Sequence, residues 1–140
     1  MHELSSTALR CLDRQLGEAL ALAVSCRLLS DRARSAGDAL TAVTLHELSS
    51  DLADQAAILA PLVWGEPTGG IPPSPADSTQ DADTLLAALD AHLGRAALIA
   101  RTDAMSPGLE RTVVGLLSTL AALYETRRKL LLVSTVLDRA

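Results

Sequence analysis

Gly65-Glu66-Pro67-Thr68-Gly69-Gly70-Ile71-Pro72-Pro73-Ser74-Pro75 decides the reading of the fold, because it holds four of the six prolines in the chain. Proline has no amide hydrogen and a fixed φ, so neither a helix nor a central strand passes through this run. It predicts an extended, fairly stiff connector over residues 65–80, of about fifteen residues. A loop of that length inside a compact domain needs a structural task.

Sustained helical patterns lie on both sides of the connector. Before it, Leu9, Leu12, Leu16, Leu20, Ala23 and Val24 recur at steps of mostly three and four, and Leu45, Leu48, Leu52, Ala56, Leu59 and Leu62 repeat the spacing. The first stripe predicts a helix from about Ser5 to Arg34, capped by Ser5 or Ser6 and broken at Ser35-Ala36-Gly37-Asp38. The second pattern fades near Pro61 to Gly65. After the connector, Thr79, Asp81 or Asp83 starts a third helix with the stripe Leu85 or Leu86, Leu89, Leu93, Ala97 and Ala100, ending around Ala104. Ser106-Pro107 then reads as an N-cap with proline in the first turn. The fourth helix carries Leu109, Val113, Leu116, Leu120, Leu123 and Leu130 on its stripe.

These elements predict an all-α fold, a four-helix bundle forming a single domain over residues 1–140. Spanning a helix of about 22 residues takes roughly 33 Å, which the connector supplies at ~3.3 Å per residue. Helices two and three are then parallel, joined by a long crossover, whereas a simple up-down-up-down bundle needs no loop of this length. Trp64, at the mouth of the crossover, is expected to pin it to the bundle.

Composition narrows the function classes. Trp64 and Tyr124 are the only aromatic residues, so a stacking platform for nucleic-acid bases is excluded, and the core falls to Leu, Ala and Val. The formal net charge of -5 leaves no basic surface suited to a phosphate backbone. The longest uncharged apolar run, Thr112 to Tyr124, is shorter than the ~20 residues of a membrane span. Cys11 and Cys26 lie on one helix, roughly 22 Å apart, and cannot bridge within it. They read as buried thiols in a reducing compartment, and Met1-His2-Glu3 lacks the basic start of a signal peptide, so a cytoplasmic protein is expected.

Leu45-His46-Glu47-Leu48 followed by Leu52 on helix two, and Leu116-Leu117 followed by Glu125 and a Leu-rich end on helix four, resemble the ferritin-like proteins, most of all the starvation-induced mini-ferritins. Helix order and loop lengths extend the resemblance over roughly residues 5 to 135. The family implies an oligomeric cage and iron storage. Its ligands do not carry over: three residues after Glu3, Glu18, Glu47, Glu110 and Glu125 stand Ser6, Ala21, Ser50, Val113 and Arg128, so no Glu-x-x-His pair exists. The acidic pair that mini-ferritins carry on helix two aligns with Ser50 and Asp54, and helix one has no histidine beyond His2.

The remaining polar residues define alternatives. His46, Asp51 and Asp54 are the candidate ligands for a metal shared between subunits, although His46 by itself reads as a surface or interface residue. His92, with Asp90 and Arg95, reads as a solvated face. Arg127 falls on the apolar stripe of helix four and calls for a partner such as Glu18 or Asp13. Arg10 and Arg27 have the first-helix arginine spacing of all-helical chorismate mutases, without the lysine that family requires. Together with Arg127 they are the candidate anion-binding residues. Leu117, Tyr124, Leu131 and Leu132 widen the apolar face of helix four and are expected to form an oligomer interface. The reading is a non-catalytic, cofactor-free bundle acting as a homo-oligomeric scaffold or interaction protein, with no nucleic-acid or membrane partner. The alternatives are an iron-storing mini-ferritin and a small anionic-ligand binder.

Overall fold

Ser5 starts the first helix as predicted: its Oγ accepts from the Ala8 amide at 3.1 Å, and α1 runs Ser6–Ser35. It ends where Gly37 takes φ +83, a conformation that costs a side-chain-bearing residue about 1 kcal/mol or more. The Gly37 amide donates to the Arg34 carbonyl and the Asp38 amide to that of Ala33, which closes the helix and turns the chain back. α2 follows over Ala39–Leu59 and tightens into one 3-10 turn, Ala60–Val63. Asp81 caps α3, Ala82–Ala104, by accepting from the Thr84 amide at 2.7 Å, a bond that holds its carboxyl below the usual range. α4 spans Arg111–Arg139.

The computed structural model describes residues 4–63 and 81–139, and among these there are four α-helices and no strand. The predicted connector 65–80 and Trp64 lie outside the described residues. No helix among the described residues is long and apolar enough to cross a membrane.

α1 packs on α2 and α3, and α4 packs on the same two, so α1 and α4 occupy one diagonal of a square bundle. Cross-helix bonds give the directions. Ser30 Oγ donates to the Ala42 carbonyl and Ser49 Oγ to that of Ala23, so α1 and α2 are antiparallel. Glu18 meets His92 while Arg14 meets Asp103, so α1 and α3 are antiparallel too. Arg128 with Asp90 and Arg101 with Glu125 make α3 and α4 antiparallel. α2 and α3 therefore share a direction.

Two expectations for α4 fail. Helix four does not begin at Ser106-Pro107, because Gly108 adopts φ +78 and turns the chain before Arg111. The core stripe is also displaced. The inner row keeps Val113 and Leu120 of the expected stripe and continues through Leu117, Tyr124, Arg127, Leu131 and Ser134 in alternating steps of four and three, with Ala121 buried beside it. Leu123 and Leu130, assigned to the core by their hydrophobicity, are 40% and 54% exposed. The inner positions at 124, 127 and 134 are filled by polar residues, so following leucines rotates the stripe by one residue, about 100°. Consequently Leu117, Tyr124 and Leu131 are bundle core and cannot form an oligomer interface. Of the four residues expected there, only Leu132 is on the outer surface. In α1 the expected stripe holds at Leu12 and Leu16, each 1% exposed, and Leu9, Leu20 and Ala23 pack against the core from partly buried positions; Val24 alone departs, at 51% exposure, and Gln15 and Cys26 are buried where no stripe residue was expected.

Candidate functional site

All four helices contribute polar side chains to the middle of the bundle: Gln15 and Glu18 from α1, Gln55 from α2, His92 from α3, and Tyr124 and Arg127 from α4. They form two groups. Between α1 and α3, His92 Nε2 lies 2.6 Å from Glu18 Oε2. His92 is buried because it continues the inner row Leu85, Leu89, His92, Ala96, which corrects the expectation of a solvated face. Asp90, its expected companion there, instead holds the Arg128 guanidinium through two bonds of 2.8 and 3.1 Å. Gly94 makes room for that guanidinium, since a Cβ at this position would come within 2.8 Å of Arg128 Nη1.

A carboxylate that orients an imidazole is the pairing used in general-base catalysis, but His92 is only 4% exposed, which withholds it from a substrate. His92 Nδ1 and both amide heavy atoms of Gln15 have no hydrogen-bond partner among the described residues.

The second group joins α2 to α4. Gln55 Nε2 donates to the Tyr124 hydroxyl at 2.8 Å, and Arg127 Nη1 donates to Gln55 Oε1 at 2.7 Å. The guanidinium also sits 5.7 Å from the centre of the Tyr124 ring, within the range of a cation–π contact. Burial pushes the Tyr124 hydroxyl up to about 12, and the Glu18 charge adds to the shift, while Gln55 and Arg127 oppose it. Burial likewise lowers the pKa of Arg127, against the opposing influence of Tyr124 and Asp51. Arg127 is thus the buried charge the sequence suggested, but its hydrogen-bond partner is the neutral amide of Gln55. Glu18, proposed for that role, is engaged by His92.

Arg127 and Gln55 also line a groove of about 450 Å³ between α2 and α4. Its walls are mainly apolar, with Ile58, Leu116, Leu123 and Leu130 among them, and Asp51 and Asp54 stand at its rim.

The other candidate residues are dispersed. His46, Asp51 and Asp54 are all exposed on α2, and no group of three or more His, Cys, Asp or Glu side chains converges among the described residues. Glu18 and His92 are the nearest approach to an interior donor pair. They bond to each other, and one carboxylate with one imidazole does not fit a di-iron centre, which needs several carboxylates around each ion. Arg10 and Arg27 are exposed on α1, about 25 Å apart along the axis, and share no site with Arg127. Near one end of the bundle, Asp103 is buried against Arg14 at 3.5 Å, and burial raises its pKa. Cys26 is sealed more deeply, and burial pushes its thiol up to about 12.

Sequence reasoning missed the Glu18–His92 pair and Gln55. The alternation of four- and three-residue steps marked His92 and Gln55 as inward, a signal obscured by stronger hydrophobic residues nearby, whereas Glu18 stands beside the inner row of α1 and had no such signal. No protein-family model matches the chain, and no curated protein or solved structure matches it either.

Proposed function

We propose that this chain is a non-catalytic helical bundle that self-associates and serves as a scaffold or interaction module. The observation that carries the reading is the outer surface of α4 from Leu130 to Leu137. Leu130, Leu132, Val133, Val136 and Leu137 are each 54–63% exposed, and no residue between 130 and 137 is charged. Fully burying a side chain of this size is worth about 1.5–3 kcal/mol, so covering the five halfway is worth several kcal/mol. A second copy related by a two-fold axis is the commonest cover for such a surface. This replaces the interface expected at Leu117, Tyr124 and Leu131 and retains Leu132.

The shared direction of α2 and α3 supports a ferritin-like crossover as part of this proposal. Residues 64–80 exceed the reach needed to return along α2, whose 21 residues measure roughly 32 Å. The two free, buried thiols support a reducing, cytoplasmic setting for the bundle.

Sedimentation equilibrium tests the reading. The wild type is expected to be a dimer or larger, and Leu132→Glu with Val136→Glu is expected to give a monomer of unchanged helicity. Leu117→Glu is expected to unfold the chain, because it places a charge in the core. A wild type that remains monomeric at high micromolar concentration refutes self-association.

A further inference from the structure

Arg127 combines two properties in one side chain: it carries a buried positive charge, and it lines an apolar groove. Its side-chain hydrogen bond uses one nitrogen, against a neutral amide oxygen, and its other close partner is an aromatic ring. A guanidinium offers five N–H donors in a planar fork whose geometry matches a carboxylate. No carboxylate among the described residues forms an ion pair with it. Desolvating a cation is costly, and the carboxylate that acts on this one, Asp51, stands exposed at the rim and makes no ion pair with it, so the remaining N–H groups of Arg127 are the strongest attraction the groove can offer an anion.

The walls specify the rest of the ligand. Ile58, Leu116, Leu123 and Leu130 suit an unbranched hydrocarbon, and about 450 Å³ falls within the range of sites that hold small molecules. We propose that the α2–α4 groove binds an amphipathic monocarboxylate, with the hydrocarbon between the helices and the carboxylate on Arg127. Asp51 and Asp54 at the rim act against the anion. They are exposed and screened by water, whereas Arg127 acts from a low-dielectric position where its field is stronger. The site meets the self-association surface only at Leu130, so the proposal stands or falls independently of the oligomer.

Calorimetric titration of the wild-type chain with dodecanoate, dodecanol and dodecyltrimethylammonium, each below its micelle threshold, tests it. Dodecanoate is expected to bind at least about tenfold more tightly than the alcohol, the range given by one charge-assisted hydrogen bond, and the cation is expected to bind most weakly. Arg127→Gln should remove the preference for the acid over the alcohol. Because that change also disturbs Gln55 and Tyr124, two variants at exposed positions complete the test. Asp51→Asn with Asp54→Asn should tighten dodecanoate several-fold, and Ile58→Glu should weaken it. Equal affinity for acid and alcohol, or no heat with dodecanoate at millimolar concentration, overturns the proposal.

Discussion

Replacing Gln55 with leucine separates the polar link between α2 and α4 from the packing around it. The two side chains have similar volume, so the substitution leaves no large cavity, and its cost comes from two hydrogen bonds. The first is the 2.7 Å bond from Arg127, and a bond to a charged group contributes about 1.5–3 kcal/mol. The second is the 2.8 Å bond to the Tyr124 hydroxyl, a neutral pair worth about 0.5–1.5 kcal/mol. An added apolar side chain at a position only 7% exposed returns roughly 1 kcal/mol. The net expected loss is about 1–3.5 kcal/mol, which for a chain of this size corresponds to a fall in Tm of roughly 3–12 °C.

Urea denaturation followed by far-UV circular dichroism measures this difference, provided the slope with denaturant is unchanged. Gln55→Glu is the informative control. It keeps an acceptor for Arg127, turns that contact into an ion pair, and lets the Tyr124 hydroxyl rotate to donate to the new carboxylate. The glutamate variant should therefore stay within about 1 kcal/mol of the wild type. A loss below about 0.5 kcal/mol for leucine, or an equal loss for leucine and glutamate, refutes the view that Gln55 stabilises the buried cation.

Alkaline pH should destabilise the bundle. Unfolded Cys26 and Tyr124 release their protons near 9.0 and 10.0, while the folded groups hold theirs to about 12, so unfolding releases protons and stability falls as pH rises from about 9 to 12. Thermal melts of the wild type and of Cys26→Ala with Tyr124→Phe should show the shallower alkaline decline in the double variant, and identical slopes would contradict the assignment. Gln15→Leu should stabilise the protein by about 1–3 kcal/mol, because it replaces a fully buried amide that has no partner among the described residues with a side chain that needs none. Urea midpoints measure it, and a loss of stability would mean the amide is satisfied in solution.

Helix number, most helix ends and fold class were legible from local chemistry. Ser5, Gly37 and Asp81 act within a turn of where they stand in the sequence, so a short window contains the cause and the effect. Ser106-Pro107 misled because the deciding residue was the next one, Gly108, whose positive φ ends any helix begun at Ser106. The stripes of α2 and α3 held at every position but Leu62, and that of α4 failed at Leu123 and Leu130 for a different reason. A hydrophobic count gives Gln15, His92 and Arg127 no weight and sets Tyr124 on an outer face, yet each occupies an inward position of a four-and-three alternation. Where the core carries polar residues and the outside carries leucines, strict spacing is the better guide than hydrophobicity, and α4 is the case where the two disagree most.

That disagreement bears on function. Leucines at 123, 130 and 132 are outside while a tyrosine, an arginine and a serine are inside, an exchange that lowers the stability of an isolated bundle on both counts. Stability of the single chain does not explain it, because swapping the two sets would bury more apolar area and desolvate no charge. Two uses explain both halves of the exchange. In the proposed dimer Leu132 and the neighbouring valines gain their burial under a second copy, and in the proposed complex the ligand's hydrocarbon covers Leu123 while its carboxylate meets the inward arginine in the α2–α4 groove. On this view the residues that made the sequence hard to read are those through which the bundle meets other molecules. A variant with the exchange reversed, Leu123→Arg with Arg127→Leu, should then be at least as stable as the wild type and should lose its preference for dodecanoate over dodecanol. A reversed variant that unfolds would show instead that Arg127 is required by the core itself.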